Sequence, residues 1–373
     1  MTHRMPLFRI RDQARIAALL VALVWFPSSV RADEYAIGAD LSFLAQAEGQ
    51  GVVFKDNGQP KPGLAIFKDH GYNWVRLRIF HTPTQLPNDL NYTLALAKEA
   101  KQLGYKFLLD FHYSDTWADP QKQFTPRAWE DMSHDELEEA VFAYTRDTIS
   151  AFRDAGAMPD MVQIGNEVIG GMLWPDGKLP KNWANFADLL KAGIRGVNAG
   201  TTNAGLADAS RVAAPRPKIM IHIDRGGDRG ATESFLNHCR KYGVQYDVIG
   251  QSYYPWWHGS LDNLRDNLAF MANEYDKDVI LVEVAYNWRP AEYRKEPGPF
   301  PETPEGQRQF LAEVDRIVRA TPHGRGKGVF WWEPAVARSP IASRGMFDHD
   351  GNALPVISVF DAPLRVASPV TGE

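Results

Sequence analysis

The sequence predicts an α/β fold, a single (β/α)8 TIM barrel. Three observations lead there. Short apolar runs alternate with amphipathic helical patterns eight times along the chain. Several helical stretches end in glycine just before the next apolar run. Polar and aromatic residues collect where the apolar runs end, which is where such barrels place their reactive groups. A doubly wound open sheet is the competing arrangement. It carries a glycine-rich phosphate loop after its first strand, and "GADLSF" holds none.

The strands read as AIGADLSF (36–43), WVRLRIF (74–80), KFLLDFHY (106–113), MVQIGNE (161–167), KIMIHID (218–224), VIGQSYYP (248–255), VILVEVAY (279–286) and GVFWWEP (328–334). Each is a short apolar run closed by a polar or glycine-rich break. Between them, "LNYTLALAKEAKQLG" keeps Leu90, Leu94, Ala97 and Leu103 on one helical face. "SHDELEEAVFAYTRDTISAFRDAG" opens with Ser133 and Glu136 at capping-box spacing. "NWANFADLLKAGIRGV", "SLDNLRDNLAFMANEY" and "TPEGQRQFLAEVDRIVRA" are further helices. Gly71, Gly104, Gly156 and Gly243 fit helix C-termini.

Composition bounds the function. The chain is 44% hydrophobic and 23% charged, the balance of a protein with a large core. A net charge of −5 without a Lys/Arg cluster in its body argues against a nucleic-acid surface. Residues 1–32 read as a secretory signal: Arg4, Arg9, Arg11 and Arg15, then "IAALLVALVWF", then "PSSVRA" with Val30 and Ala32 before the cut. The apolar run is shorter than the roughly 20 residues a spanning helix needs. The expectation is a secreted or periplasmic protein whose mature domain, 33–373, is not membrane-bound. Cys239 stands alone, so no internal disulfide can form, and it reads as a buried helix residue.

The strand ends carry Asp40 and Ser42, Arg76 and Arg78, Asp110 and His112, Asn166 and Glu167, His222 and Asp224, Ser252 to Tyr254, Glu283 and Tyr286, and Trp331 to Glu333. Two carboxylates, Glu167 and Glu283, end the fourth and seventh strands, and barrel closure brings such ends within several ångströms. Retaining glycosidases use carboxyls about 5–5.5 Å apart and inverting ones about 6.5–9.5 Å. One must be protonated and the other ionised. Arg76 is placed to hold one of them ionised. The alternative is a structural network in which both glutamates only pair with arginines. Trp117, Trp174, Trp256, Trp257, Trp288 and Trp332 fall in strand-end loops, and sugar rings stack on such faces. Trp174, Trp257 and Trp288 are expected to line a curved wall. His112, His222 and His258 are scattered, with no HxH or HExxH, so a catalytic metal is not indicated. "DHDGN" (348–352) reads as a turn rather than a calcium loop.

The stretches "LLDFHYSDTWADPQKQ", "GNEVIGGMLWPDG", "QSYYPWWHG", "VEVAYNW", "GVFWWEPA" and "FDHDGNALP" resemble the endo-β-1,4-galactanases of glycoside hydrolase family 53, from about Ala36 to Pro355. The resemblance implies a retaining enzyme, with Glu167 as acid/base and Glu283 as nucleophile. It implies that Asn166 holds a sugar 2-hydroxyl and that Arg76, His112 and Tyr254 support the pair. Trp332 would be the platform under the reacting sugar. Asp110, Asp115 and Trp117 complete the expected substrate-binding set. Some bacterial members of the family carry calcium in the loops after strands seven and eight; the expectation here is that no cofactor is required, with a structural calcium left open. "RSPIASRGMFD" departs from the family's pattern, and the resemblance implies that this loop shapes a distal subsite. The expected function is a monomeric endo-galactanase acting on the β-1,4-galactan of type I arabinogalactan and pectin. The alternatives are another β-1,4-glycanase, on mannan, xylan or cellulose, and a sugar-binding protein without hydrolysis.

Overall fold

Eight parallel strands close into a barrel, each paired with the next in chain order and the last with the first. They are β1 (Ala36–Asp40), β2 (Trp74–Ile79), β3 (Lys106–Phe111), β4 (Met161–Ile164), β5 (Lys218–Ile223), β6 (Val248–Tyr253), β7 (Asp278–Val284) and β8 (Gly326–Trp331). The computed structural model describes residues 1–2, 34–202, 216–291, 298–336 and 341–361. Tyr35–Glu373 forms one compact unit. The segment expected to be a secretory signal, 1–32, lies outside the described residues apart from its first two. No helix among the described residues is long and apolar enough to cross a membrane.

Every expected strand is present, and each stops a few residues short of the end of its run. The trimmed residues, among them Ser42, His112, Glu167, Asp224, Tyr254 and Glu333, leave the ladder to enter the loops above it. The helices follow their sequence signals. Asp89 accepts from Tyr92 N at 2.8 Å at the start of α3 (Leu90–Gln102). Ser133 and Glu136 form the capping box of α4 (His134–Asp154). Gly71, Gly104, Gly156 and Gly243 have φ of 84°, 77°, 70° and 70°, the left-handed geometry that ends a helix without a Cβ penalty. One element departs from the expected pattern. Among the described residues, β8 is followed by a short 3-10 segment, Pro355–Phe360, which packs beside α9 (Pro304–Arg319) in place of a full helix.

The barrel interior is layered. Its lower part is apolar: Ala36, Trp74, Leu108, Met161, Met220, Val248, Ile280 and Phe330 form one buried cluster. Above it the buried positions are polar: Arg76, Asp110, Gln163 and His222 one strand repeat on, and Asp40 and Ser252 two repeats on. The outer faces of the strands pack against the helices in a second apolar cluster. The sheet is therefore sealed below and around, and its polar layer opens only toward the strand C-termini.

β7 breaks its own alternation. Gln251 pairs with Leu281, but Ser252 pairs with Glu283, so Val282 is the extra residue of a bulge. Ile280 and Val282 both face the inner apolar cluster, and the bulge turns Glu283 inward as well.

Candidate active site

Glu167 does not sit on β4. The strand stops at Ile164, and the chain turns through Gly165 (φ 80°) and Glu167 (φ 48°, ψ 50°). A Cβ on Gly165 would lie 2.5 Å from Val168 Cγ1, so the turn requires glycine. A left-handed glutamate is a strained conformation, of order 1–3 kcal/mol, that surrounding contacts must hold. Here the contact is Ser252, whose Oγ donates to Glu167 Oε1 at 2.6 Å. Ser252 in turn lies 2.8 Å from His222 Nε2. Ser252 Oγ gives its one proton to Glu167, so it accepts from His222 Nε2–H, and Nδ1 is left facing Gln163 Nε2 at 3.1 Å, Asn166 Oδ1 at 3.1 Å and Glu167 N at 3.4 Å. Burial and the Arg76 charge hold His222 well below the usual imidazole range, so this ring stays neutral.

Glu283 stands opposite. Its Oε1 lies 2.8 Å from Arg76 Nη1, and its Oε2 accepts from Tyr254 Oη at 3.0 Å. Donor atoms of Glu167, His222 and Glu283 all lie within 4.8 Å of one another. Arg76 is itself clamped. Nη1 bonds Asp40 Oδ2 at 2.8 Å, and Nη2 bonds Asp110 Oδ2 at 2.8 Å and Asn166 Oδ1 at 2.9 Å. Asp40 also binds Arg78, which pairs with buried Glu333. A buried charge network of this kind is costly to assemble and costly to break at one point.

The two carboxyls differ electrostatically. Burial pushes both above the ordinary range. For Glu283, the Arg76 charge is the largest influence against that rise, joined by the Tyr254 hydroxyl, while the charges of Asp40 and Asp110 add to it. For Glu167, the nearby charges of Glu283 and Asp224 add to it, and Ser252 alone opposes. Glu167 therefore keeps its proton in a pH range where Glu283 has lost its own. Tyr254 is buried, its hydroxyl held well above the ordinary range first by burial and then by the Glu283 charge, so it stays a donor.

Above the pair opens a cavity of about 880 Å³. Trp117, Trp257 and Trp332 line it, with His112, Asp224 and Arg344. Trp332 meets Tyr254 edge to face at 6.2 Å between centroids and Trp117 at 6.3 Å. The Arg78 guanidinium lies over the Trp117 ring at 4.3 Å. A deep polar floor with paired carboxyls under aromatic walls fits a polyhydroxylated ring.

A family model, Glycosyl hydrolase family 53, matches residues 36–360. The chain belongs to glycosyl hydrolase family 53. It is 41% identical to an uncharacterized protein of Niallia circulans over 90% of this chain and 96% of that one. It is 36% identical to an arabinogalactan endo-beta-1,4-galactanase of Thermothelomyces thermophilus, covering 87% of this chain and 98% of the other. A solved fungal beta-1,4-galactanase superposes with a TM-score of 0.79 at 35% identity, covering 88% of this chain and 99% of that one. The family 53 chain is thus a glycoside hydrolase built on a (β/α)8 barrel.

The structure brings together most of the residues singled out from the sequence of this family 53 enzyme. Glu167, Glu283, Asn166, Arg76, His112, Trp117, Tyr254 and Trp332 all line the one cavity. Asp110 and Asp115 do not. Asp110 is fully buried under Arg76 and accepts from Gln163 Nε2 at 2.5 Å, so it holds the floor rather than a sugar. Asp115 Oδ1 accepts from Thr82 N and Oδ2 from Arg127 N, both at 2.9 Å, which commits its carboxylate to tying loops together. The expected tryptophan wall is also corrected. Trp257 lines the cavity, whereas Trp174 Nε1 is bonded to Gly170 O and Trp288 Nε1 to Ala342 O, outside it. Gln163 was missed; a glutamine in a fully buried strand was its signal. The "DHDGN" segment is a turn: Asp348 Oδ1 accepts from Asp350 N and Asn352 N, and Oδ2 from Asn352 Nδ2.

Proposed function

We propose that the chain is an exported, monomeric endo-β-1,4-galactanase that cleaves β-1,4-galactan, including that of type I arabinogalactan and pectin, with net retention. The substrate rests on the arabinogalactan endo-beta-1,4-galactanases and fungal beta-1,4-galactanases it resembles across most of its length. The stereochemistry rests on one observation. Oxygens of Glu167 and Glu283 approach within 4.8 Å, the close spacing of a nucleophile and an acid rather than the gap that admits a water between them.

The steps follow from the charges. Glu283, held ionised by Arg76 and Tyr254, attacks the anomeric carbon. Glu167 gives its proton to the departing O4 of the next sugar, and a covalent glycosyl–Glu283 ester forms. Glu167, now a carboxylate, takes a proton from water as that water attacks the same carbon from the vacated side. Glu283 leaves ionised and Glu167 is protonated again. Asn166 donates to Ala118 O through Nδ2 at 2.9 Å, which points Oδ1 toward Arg76 and His222 at the cavity floor. From there it fixes the edge of the reacting sugar. No metal is needed, because Arg76 supplies the positive charge beside Glu283.

One experiment tests this reading. Reducing-sugar release is followed on galactan, mannan, xylan and carboxymethylcellulose, with and without a chelator, and the first anomer formed is read by NMR. Galactan should be cut fastest, at the same rate with chelator, giving the β anomer first. The α anomer as first product would overturn retention, and preference for another glycan would overturn the substrate.

A further inference from the structure

One part of the cavity wall is built around Arg344. This residue ends the short turn Ala342–Arg344. The turn is locked on three sides. Arg344 O accepts from Trp331 Nε1 at 2.9 Å, Gly345 O from Gln307 Nε2 at 2.9 Å, and Ala342 O from Trp288 Nε1 at 2.9 Å. The Arg344 side chain, only 5% exposed, reaches into the cavity wall. Its guanidinium carbon lies 5.1 Å from the ring centre of Trp257, 5.3 Å from Trp256, and 5.6 Å from both Tyr254 and Trp332. Four rings from two strand-end loops thus converge on one cation.

Trp257 is the unusual member of that group. It is 59% exposed yet lines the cavity. It meets Tyr254 edge to face at 5.4 Å and Trp256 at 5.9 Å. An exposed indole on a four-residue helix, Pro255–His258, would ordinarily sample several rotamers. A fixed cation near its face favours one of them.

We propose that Arg344 is a positioning residue for substrate: it holds Trp257 as a fixed platform for a sugar ring beyond the bond being cut, and so sets affinity for the polymer. The proposal rests on the galactanase reading for the identity of that sugar, but not for the coupling between the two residues. Arg344 touches Trp332 and Tyr254 as well, so it joins the distal platform to the group that donates to Glu283. Polymer binding and placement of the nucleophile then share one support.

The test is a double-mutant cycle on the mature enzyme with Arg344→Met, Arg344→Lys, Trp257→Ala and the combinations, assayed on galactan and on a short aryl galactoside. Arg344→Met should raise KM for galactan roughly threefold to thirtyfold, the span of cation–π contacts from exposed to desolvated sites. The fall in kcat should be smaller, and the aryl galactoside should be affected less. Arg344→Lys should lie between Met and the wild type. The combined Arg344→Met, Trp257→Ala variant should show no higher KM for galactan than Trp257→Ala alone, with only the smaller kcat effect, carried through Tyr254 and Trp332, added. Additive rises in KM, or an unchanged KM in a folded Arg344→Met variant, would overturn the proposal. Should Arg344→Met not fold, the Lys cycle reads the same coupling. A wild type that ignores galactan would sink the substrate assignment; the cycle is then read on the β-glycan it does cut.

Discussion

Arg76 Nη1 lies 2.8 Å from Glu283 Oε1, whereas the hydrogen bond to the Glu167 carboxylate comes from a neutral hydroxyl, Ser252 Oγ, at 2.6 Å. Two buried glutamates are thus pulled apart by what touches them, the Arg76 charge opposing the rise of Glu283 while the charges near Glu167 add to its own. Asp40 and Asp110 keep Arg76 from moving to either carboxyl as the charge shifts during the reaction.

Glu167→Gln and Glu283→Gln should each fold and each lose activity by roughly a hundredfold or more, since one removes the proton donor and the other the nucleophile. Azide should restore turnover to Glu283→Ala with an α-galactosyl azide product, because the anion enters from the face the carboxylate vacated. Near-normal turnover in Glu283→Gln would reassign the nucleophile.

The pH–rate profile should be a bell whose basic limb reports Glu167. Asp224 raises Glu167 through its charge, so Asp224→Asn should move that limb to lower pH. Ser252→Ala removes the hydrogen bond that lowers Glu167 and should move it to higher pH. Stability follows the same group. Glu167 binds its proton more tightly folded than unfolded, so its contribution is complete at low pH and fades as pH rises through the raised native value. Glu167→Gln lacks that loss. Its Tm should therefore gain on the wild type as pH climbs from the ordinary carboxylate range upward. Basic limbs that do not move apart in the two neighbours' variants would remove Asp224 and Ser252 from control of the acid.

A stability test lies in the barrel floor. Gly38 pairs with Phe330 across β1 and β8, and a Cβ on Gly38 would lie 2.1 Å from Phe330 Cδ1. Gly38→Ala should cost about 1–3 kcal/mol or more by overpacking. Adding Phe330→Leu should recover part of the loss. Urea unfolding measures both, and a Gly38→Ala variant as stable as the wild type would show that the floor repacks freely.

These tests separate what the sequence made legible from what it hid. The strands were legible because each is a short apolar run, and the helix ends because Gly71, Gly104, Gly156 and Gly243 mark them. The carboxylate pair was legible as residue types at strand ends. Its aim was not: strict alternation from Ile280 would turn Glu283 outward, and only the bulge at Val282 brings it in. The ties of Asp115 to two backbone amides were hidden because a loop carboxylate that holds amides looks, in sequence, like one that binds a ligand. Arg344 was invisible for a related reason. A lone arginine in an irregular loop shows nothing of the four rings that gather on it from elsewhere.

The leader should be cut after Ala32, so that the exported protein begins at Asp33. N-terminal sequencing of the secreted or periplasmic chain decides this. A start upstream of Ile16 would sink the assignment of a signal peptide.

Galactan is joined through an axial 4-hydroxyl, which curves the chain, whereas cellulose is joined equatorially and runs flat. A curved chain needs platforms set at an angle to one another. Trp332 and Trp257 are the candidates for this: they line the cavity from different strand-end loops, with their ring planes at 86° and 67° to that of Tyr254 between them. Trp174 is not part of that cavity lining. Its indole N–H is bonded to Gly170 O at 2.8 Å, its backbone N–H to Gln123 O at 2.7 Å, and Lys178 lies over its ring at 4.1 Å. Trp257→Ala should therefore weaken turnover of galactan more than of a short aryl galactoside, because the lost contact lies away from the reacting bond. Trp174→Ala should lower Tm and leave the ratio of the two activities unchanged. If Trp174→Ala shifted that ratio as far as Trp257→Ala does, the polymer would run across the loop that holds Trp174, and the curved path along Trp332 and Trp257 would be wrong.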